Sequence, residues 1–399
     1  MKTFVKYKMK KVTTLIAIFL FFLAGCKGSK QSTDDFITVD VSKSYPEKEL
    51  ILQDFMDLEY IRLETTDEFL TQGVVMAVGT EIILISNRVN DGNIFVFERK
   101  TGKGLRKINR KGQGGEEYLY ITEIVLDEDN NEMFVIDNSR SKIIVYDLYG
   151  IFKRSFKIAD ADLNTNTYNF DRDHLICYIP HVSTGNVSNI IHSCHLIISK
   201  KDGSIARKIS IPFNELKRPV VRQGEEIVEP LATYEFQIIP NRGNWVLMET
   251  SSDTVYYYVP DDDKKIPIIV RTPSIRSMEP PEIFLMPTIL ADDYYFFATL
   301  KAEFDFTTGR GFPISSLMYV KHENAIFKPK VYNDDYSHKR EVGMISRPLN
   351  HEIASSRILE AFQLVEAFKK GELKGKLKEI AAGLGAEDNP VIMLVKHKK

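Results

Sequence analysis

The 399-residue sequence predicts an all-β chain closed into a six-bladed β-propeller, with a C-terminal helical insertion before the ring-closing strand. Three observations predict it. From residue 50 to about residue 350 the apolar residues come in short runs separated by turn residues, the pattern of strands. Two stretches superimpose as units about 50 residues apart, the length of a four-stranded blade. Strand-like segments also stand at both ends of the chain, where a shared blade can close a ring and remove the exposed edges.

The first unit holds residues 81–86 (EIILIS), 94–98 (IFVFE), a turn at 101–104, and 105–108. The second holds 132–137 (EMFVID), 142–147 (KIIVYD), a turn at 148–150, and 152–158. A looser third copy runs through 175–179, 194–199, a turn at 201–203, and 205–211. A fourth runs through 245–250 (WVLMET), 254–259 (TVYYYV) and 265–271. The fifth has 293–300 (DYYFFATL) and 316–321 (SLMYVK), with a poorly matched outer strand. Segments 58–64 (LEYIRLE) and 390–396 (PVIMLVK) are the candidates for a composite sixth blade. Between residues 353 and 384 the spacing turns helical, with Ile358, Phe362, Val365 and Phe368 three or four apart and Gly371 as a stop. A helical hairpin packed on the propeller edge is the expectation, because a strand follows directly.

Residues 1–25 read as a signal peptide. Lys2, Lys6, Lys8, Lys10 and Lys11 precede an apolar stretch at 15–23 (LIAIFLFFL), which is too short to span a bilayer. Leu23-Ala24-Gly25-Cys26 closes it as a bacterial lipobox, which marks Cys26 for lipidation. Residues 26–49 are then expected to be the lipidated cysteine and a polar tether, and 50–399 the propeller. This address predicts an outer-membrane lipoprotein, facing the periplasm or the cell surface, held to the membrane by acyl chains alone.

Composition sets further limits. Lys plus Arg number 53 against 55 Asp plus Glu, a net charge of -2, which leaves no basic footprint for nucleic acid. Three cysteines cannot make a disulfide scaffold. Apolar residues make up 43% and charged residues 27%, the balance of an ordinary globular chain with ample core, expected to be a monomer.

The loop Gly112-Gln113-Gly114-Gly115 resembles a phosphate cradle only in its glycines. No Lys-Ser/Thr pair follows, and a strand comes next rather than a helix. The expectation is that these glycines supply positive φ where the chain crosses between blades. Glu116, Glu117 and Tyr118 would then lie near a propeller face. With Asp137, Arg140 and Asp253 they form the candidate ligand-binding set. His174, Cys177, His181, His192, Cys194 and His195 concentrate donors that zinc accepts, though not in a standard spacing. A hairpin turning at residues 184–186 would set Cys177 opposite Cys194, as two buried thiols, a disulfide or part of a metal site. Asp261-Asp262-Asp263 and Asp334-Asp335 read as turns before calcium sites. No resident cofactor or metal is predicted.

The run KGQGGEEY at 111–118, then IVLD at 124–127 and EMFVIDNSRSKIIVYDLYG at 132–150, resembles six-bladed propellers of the NHL type. More narrowly, LEYIRLET at 58–65, SDTVY at 252–256 and EDNPV at 387–391 resemble six-bladed β-propeller lipoproteins of gut Bacteroidales. That resemblance covers roughly residues 50–399 and implies a fold and an envelope location, with no catalytic residues. The function expected is a lipid-anchored binding module for a glycan, peptide or envelope protein. The alternative is an NHL-like lyase or lactonase holding a metal in the central channel, which would need channel-facing His and carboxylates from several blades.

Overall fold

The computed structural model describes residues 36–158, 166–179, 194–230 and 236–398. Cys26 and the signal segment lie outside them, as do His181 and His192.

Six antiparallel sheets make six blades. Blade 1 is Val74–Val78, Ile82–Ser86, Asn93–Glu98 and Gly104–Asn109. Blade 2 is Glu123–Asp127, Glu132–Asp137, Lys142–Asp147 and Phe152–Phe156. Blade 3 is Thr167–Asn169, His174–Ile179, Cys194–Ser199 and Ile205–Ile209. Blade 4 is Ile238–Asn241, Asn244–Leu247, Thr254–Val259 and Lys264–Thr272. Blade 5 is Ile283–Leu290, Tyr294–Lys301, Ile314–Val320 and Ala325–Asn333. Blade 6 joins Ile353–Leu359 and Val391–His397 to Met56–Arg62 from the other end of the chain.

Because each sheet is apolar on both faces, stacking buries both, and each of the six interfaces has its own apolar cluster. Ile94, Val96 and Met133, Val135 meet between blades 1 and 2, and Phe134, Ile136 and Leu175, Cys177 between blades 2 and 3. Ile392 and Leu394 of the composite blade pack on Ile83, Phe95 and Phe97 of blade 1, which closes the ring. Asn389, 1% exposed, locks this seam. Its Nδ2 donates to the carbonyls of Glu64 and Phe69, and its Oδ1 accepts from the N–H of Thr71 at 2.9 Å.

The repeat is visible in its contacts as well as in its strands. In blades 1 to 3 the turn before the outermost strand carries a glycine at positive φ: Gly102 (+72°), Gly150 (+83°) and Gly203 (+76°). A Cβ on Gly102 would lie 1.9 Å from the Arg62 carbonyl oxygen, so no side chain fits there. An arginine on each of those outer strands reaches the next blade. Arg106 Nε donates to Leu148 O at 2.6 Å, Arg154 Nε to Lys200 O at 3.0 Å, and Arg207 Nη1 to the Tyr258 hydroxyl at 2.7 Å.

Three expectations need correction. Residues 353–359 are not helical: Ile353–Leu359 is a strand of blade 6, since pairing along Val391–His397 outweighs a local spacing that suits either state. The helices are Ala361–Lys369, stopped by Gly371 at φ +71°, and Gly375–Ala381. They bury Leu364, Leu373 and Leu377 against Val391, while Phe362 stays 54% exposed. The polar tether is also shorter than expected. Ile37–Asp40 pairs in parallel with Lys264–Thr272 of blade 4, and Glu47–Ile51 with Ala325–Asn333 of blade 5. Thirdly, Gly112, Gly114 and Gly115 are not among the positive-φ residues. A Cβ on Gly112 would meet only the carboxylate end of the Glu117 side chain, which hydrogen-bonds Gly114 N.

Candidate functional site: the central channel

The inner strands of blades 1 to 5 run from one face of the ring to the other. Blade 6 departs from this. Asn350 Nδ2 donates to Val78 O at 2.7 Å, which sets the start of Ile353–Leu359 beside the end of blade 1's inner strand. Asn389 sets the start of Val391–His397 beside that strand's beginning. Ile353–Leu359 therefore runs opposite to Val74–Val78. The inner position of blade 6 is taken by the connector 343–351, which forms no ladder and leans into the channel. Pro348 supplies no N–H to a ladder, and Asn350 Oδ1 instead accepts from Glu352 N (2.9 Å) and Ile353 N (2.8 Å), turning the chain.

Arg347 is the centre of this plug. Its Nη2 donates to Glu123 Oε1, and its Nε donates at 2.7 Å to the hydroxyl of Tyr168, over whose ring the guanidinium lies at 4.6 Å. The Tyr168 hydroxyl in turn donates a hydrogen bond to Pro348 O at 2.9 Å, and Glu123 Oε2 accepts from Thr167 N at 3.0 Å. Three blades' worth of chain thus converge on one ion pair. Burial pushes the Glu123 carboxyl up, against the pull of Arg347. Burial also opposes the Arg347 charge, but Glu123 and Tyr168 outweigh it and hold the guanidinium above its usual value. The Arg347 side chain keeps 26% of its surface accessible and Glu123 12%, so the pair faces open space rather than sealed core.

That space is a cavity of about 310 Å³. Val75, Ala77, Ile124 and Leu126 give it apolar walls, and Trp245, Thr167, Asn169 and His351 also line it. His351 meets the edge of Trp245 at 4.6 Å. Its Nδ1 accepts from Gly243 N at 3.1 Å, so its other nitrogen carries the proton, and burial pushes its pKa down to about 4. The hydroxyl of Thr167, 2% exposed, and Oδ1 of Asn169 are buried and find no hydrogen-bond partner among the described residues.

The residues expected to bind ligand lie elsewhere. Glu116, Glu117, Tyr118, Asp137 and Arg140 do come together, at the loop between blades 1 and 2, but most of them brace it. Tyr118 is fully buried between those blades, and its hydroxyl donates to Gly92 O at 2.7 Å. Glu117 Oε2 accepts from Gly114 N at 2.7 Å. Buried Asp137 accepts from Leu119 N (2.8 Å) and from Arg140 (3.1 Å), and Arg140 also donates to the Glu117 carbonyl. Burial opposes the Asp137 charge, yet the Ser139 hydroxyl, which also donates to it, together with Leu119 N and Arg140 holds its carboxyl below the usual range. Glu116 alone of the five is exposed. A second cavity, of about 430 Å³, adjoins this loop, lined by Arg110, Glu116, Tyr146 and Ile151 among others. Asp253 sits apart in blade 4, accepting from Ile275 N at 2.7 Å.

The His/Cys concentration is divided as well. The ladder sets Cys177 opposite Leu196 and Cys194 opposite Ile179, two positions out of the expected facing pair. Cys177 is buried toward blade 2, whereas buried His195 packs at a tilt against Tyr178 and donates to Gln237 O at 2.9 Å on the blade 4 side. Among the described residues no three His, Cys, Asp or Glu side chains gather closely enough to hold a metal ion. The acidic runs are turns, with Asp263 at φ +47° and paired to Arg207 at 2.8 Å. No helix among the described residues is long and apolar enough to cross a membrane.

Six blades around a channel plugged by the chain's own connector define a closed six-bladed β-propeller. By sequence the chain belongs to the DUF5128 family, described as a 6-bladed beta-propeller, whose profile matches residues 27–347. No curated protein matches the sequence. A solved structure from Bacteroides fragilis, of a protein assigned as exported, is similar over 91% of this chain and 100% of its own, at 15% identity and a TM-score of 0.56. A DUF4221 family member from Bacteroides vulgatus covers 71% of this chain and 92% of its own at 10% identity, with a TM-score of 0.41. Virginiamycin B lyase from Staphylococcus aureus covers 65% and 73% at 12% identity, with a TM-score of 0.33. The first of these shows the shared fold.

The sequence reading missed Glu123, Thr167, Tyr168, Asn169, Arg347 and His351. One signal was present: the stretch 343–352 follows the last strand of blade 5 with neither alternation nor helical spacing, too long for a plain turn.

Proposed function

We propose that this protein is an exported, lipid-anchored binding module of the cell envelope that takes its ligand in the channel cavity beneath the Arg347–Glu123 plug. The observation that carries the reading is the cavity itself: concave, apolar-walled, and supplied with a few convergent polar groups, the usual character of a small-molecule site. Its position at the ring axis is where loops and inner strands from several blades meet. The lipobox at Cys26 supports the anchor, and the polar segment after it supplies reach from the membrane. The protein acts as a monomer, with a glycan, peptide or envelope protein as partner and no nucleic acid.

Arg347 already engages the Glu123 carboxylate, which weighs against the channel-metal lyase because no unpaired carboxylate is left at the plug for a divalent cation. A thermal-shift panel on residues 27–399 tests the reading, with glycans, peptides, divalent metals and a chelator arm. A ligand at about 100 times its Kd adds about 2.7 kcal/mol and raises Tm. The reading expects a rise with an organic ligand and indifference to chelation. A chelator-induced fall restored by one metal would contradict it.

A further inference from the structure

We propose that the outer edge of blade 1, the strand Gly104–Asn109, is a docking site for an acidic, extended segment of a partner protein, which adds to the sheet as a further strand. The site lies on the rim and does not depend on the channel reading.

The chain supplies its own precedent on blade 5. There the outer strand Ala325–Asn333 carries Lys328 and Lys330, and Glu47–Ile51 is added to it in parallel, with Glu47 opposite Lys328 and Glu49 opposite Lys330. The carboxylates answer lysines: Lys330 Nζ meets Glu47 Oε2 at 2.6 Å, and Lys339 pairs with Glu49. Blade 4 likewise takes Ile37–Asp40 in parallel on its outer strand. The outer edges of this ring therefore accept added strands, and a lysine-bearing edge accepts an acidic one.

Blade 1 has the edge without the strand. Its sheet ends at Gly104–Asn109, and an edge strand presents a row of unpaired N–H and C=O groups. Residues 100–115 hold six Lys or Arg and no Asp or Glu. Lys100, Lys103, Lys107, Arg110 and Lys111 are exposed, and Arg106 is partly so. Among the described residues no carboxylate stands within ion-pair distance of any of the six. Their partners are neutral. Arg106 and Arg110 donate to the carbonyls of Leu148 and Gly150, Lys111 donates to that of Asn90, and Lys107 lies 5.3 Å over the Phe95 ring. Blades 2 and 3 differ, because Glu132 pairs with Lys153 and Arg154, and Asp263 with Arg207.

Charge selects the occupant. A second copy joined edge to edge would set Arg106 and Lys107 against like charges, which is destabilising. An acidic strand compensates the cations while it satisfies the backbone edge. Apolar contacts favour a protein segment over bare phosphate. Leu105, Tyr149 and Ile151 are exposed beside the cations, with Arg106 4.4 Å above the Tyr149 ring, and Arg110 and Ile151 line the cavity of about 430 Å³.

The chain from residue 27 is titrated with a fluorescent synthetic peptide in which glutamate alternates with valine, and with its glutamine counterpart. A third arm uses vesicles of equal parts phosphatidylglycerol and phosphatidylcholine. The glutamate peptide should bind, more weakly as salt rises, and the glutamine peptide should not. Lys103→Glu combined with Lys107→Glu should weaken binding roughly tenfold. Lys208→Glu, on the outer strand of blade 3, should change it less than about twofold. All three positions are exposed, and circular dichroism checks that the variants keep the fold. N-methylation of alternate peptide residues should abolish binding in one register and spare it in the other, because one side of an added strand meets the edge. No binding of the glutamate peptide, or binding that ignores the blade 1 variant, would overturn the site. Binding in both N-methylated registers would overturn strand addition. Capture of the vesicles alone, lost in the blade 1 variant, would assign the edge to a lipid surface and overturn the protein partner.

Discussion

Arg347 and Glu123 meet at the centre of the ring although 224 residues separate them in sequence. Glu123 belongs to the inner strand of blade 2, and Arg347 to a connector that takes an inner-strand position without being a strand. The pair is therefore both a channel plug and a tie between distant parts of the ring. Arg347→Met should leave Glu123 facing the cavity without its counter-charge and cost about 3 kcal/mol. Adding Glu123→Gln should recover part of that loss, because no lone charge then remains. Urea denaturation of the two single variants and the double variant checks this, and simple additivity would speak against the pair.

Tyr118 separates a bracing role from a binding one. Its ring is fully buried among Ile94, Met133 and Tyr146, and its hydroxyl both donates to Gly92 O and accepts from Arg110 N. Tyr118→Ala should cost about 3–5 kcal/mol, the range for deleting a buried aromatic. Glu116→Ala, at an exposed neighbouring position, should stay within about 0.5 kcal/mol. Thermal unfolding of the two variants gives the comparison.

These two sites also show what a single sequence can and cannot carry. The segments 94–98 and 142–147 were legible because their strands are apolar on both faces and repeat with their turn glycines. Ile353–Leu359 was not, since IASSRIL satisfies a helical spacing as well as a strand's, and only its partner Val391–His397 decides. Thr167–Asn169, three residues long, carries no periodicity at all. Glu116 to Tyr118 stood out as unusual residues beside glycines, but it is closure of the loop on itself, through Glu117 and Arg140, that explains them. Arg347 depends on ring closure, a contact that no local window contains.

The seam offers a third test. Asn389 satisfies two carbonyls and one N–H from residues 64–71, and losing it would leave these groups unpaired in a buried place. Asn389→Ala should cost about 3 kcal/mol. Truncation after residue 384 should do more, since it removes the middle strand of blade 6 and with it cooperative unfolding, as followed by circular dichroism.

Acid should weaken the fold through two histidines. Burial pushes His351 down to about 4, with His397 adding to the fall, and burial pushes His397 to about 4 as well, helped by Arg242. Unfolded imidazole titrates near 6.5. Between about pH 6.5 and 4 the unfolded chain binds protons that the folded chain refuses, so this part of the stability is complete above pH 6.5 and falls as pH drops toward 4. Each shift is worth about 3 kcal/mol at its limit. His351→Gln should flatten the Tm profile over this window relative to the parent chain, and parallel profiles would contradict the assignment.

The plug itself is open to one direct measurement. Trp245 touches His351, the last residue of the connector, and is 1% exposed. With 5-fluorotryptophan incorporated, the chain should give one sharp ¹⁹F resonance that a soluble quencher barely reaches. Arg347→Met should shift that resonance and raise quencher access while the blades stay folded by circular dichroism. An unchanged signal in a folded Arg347→Met variant would mean that the connector does not depend on Arg347, and that the channel is not closed as described.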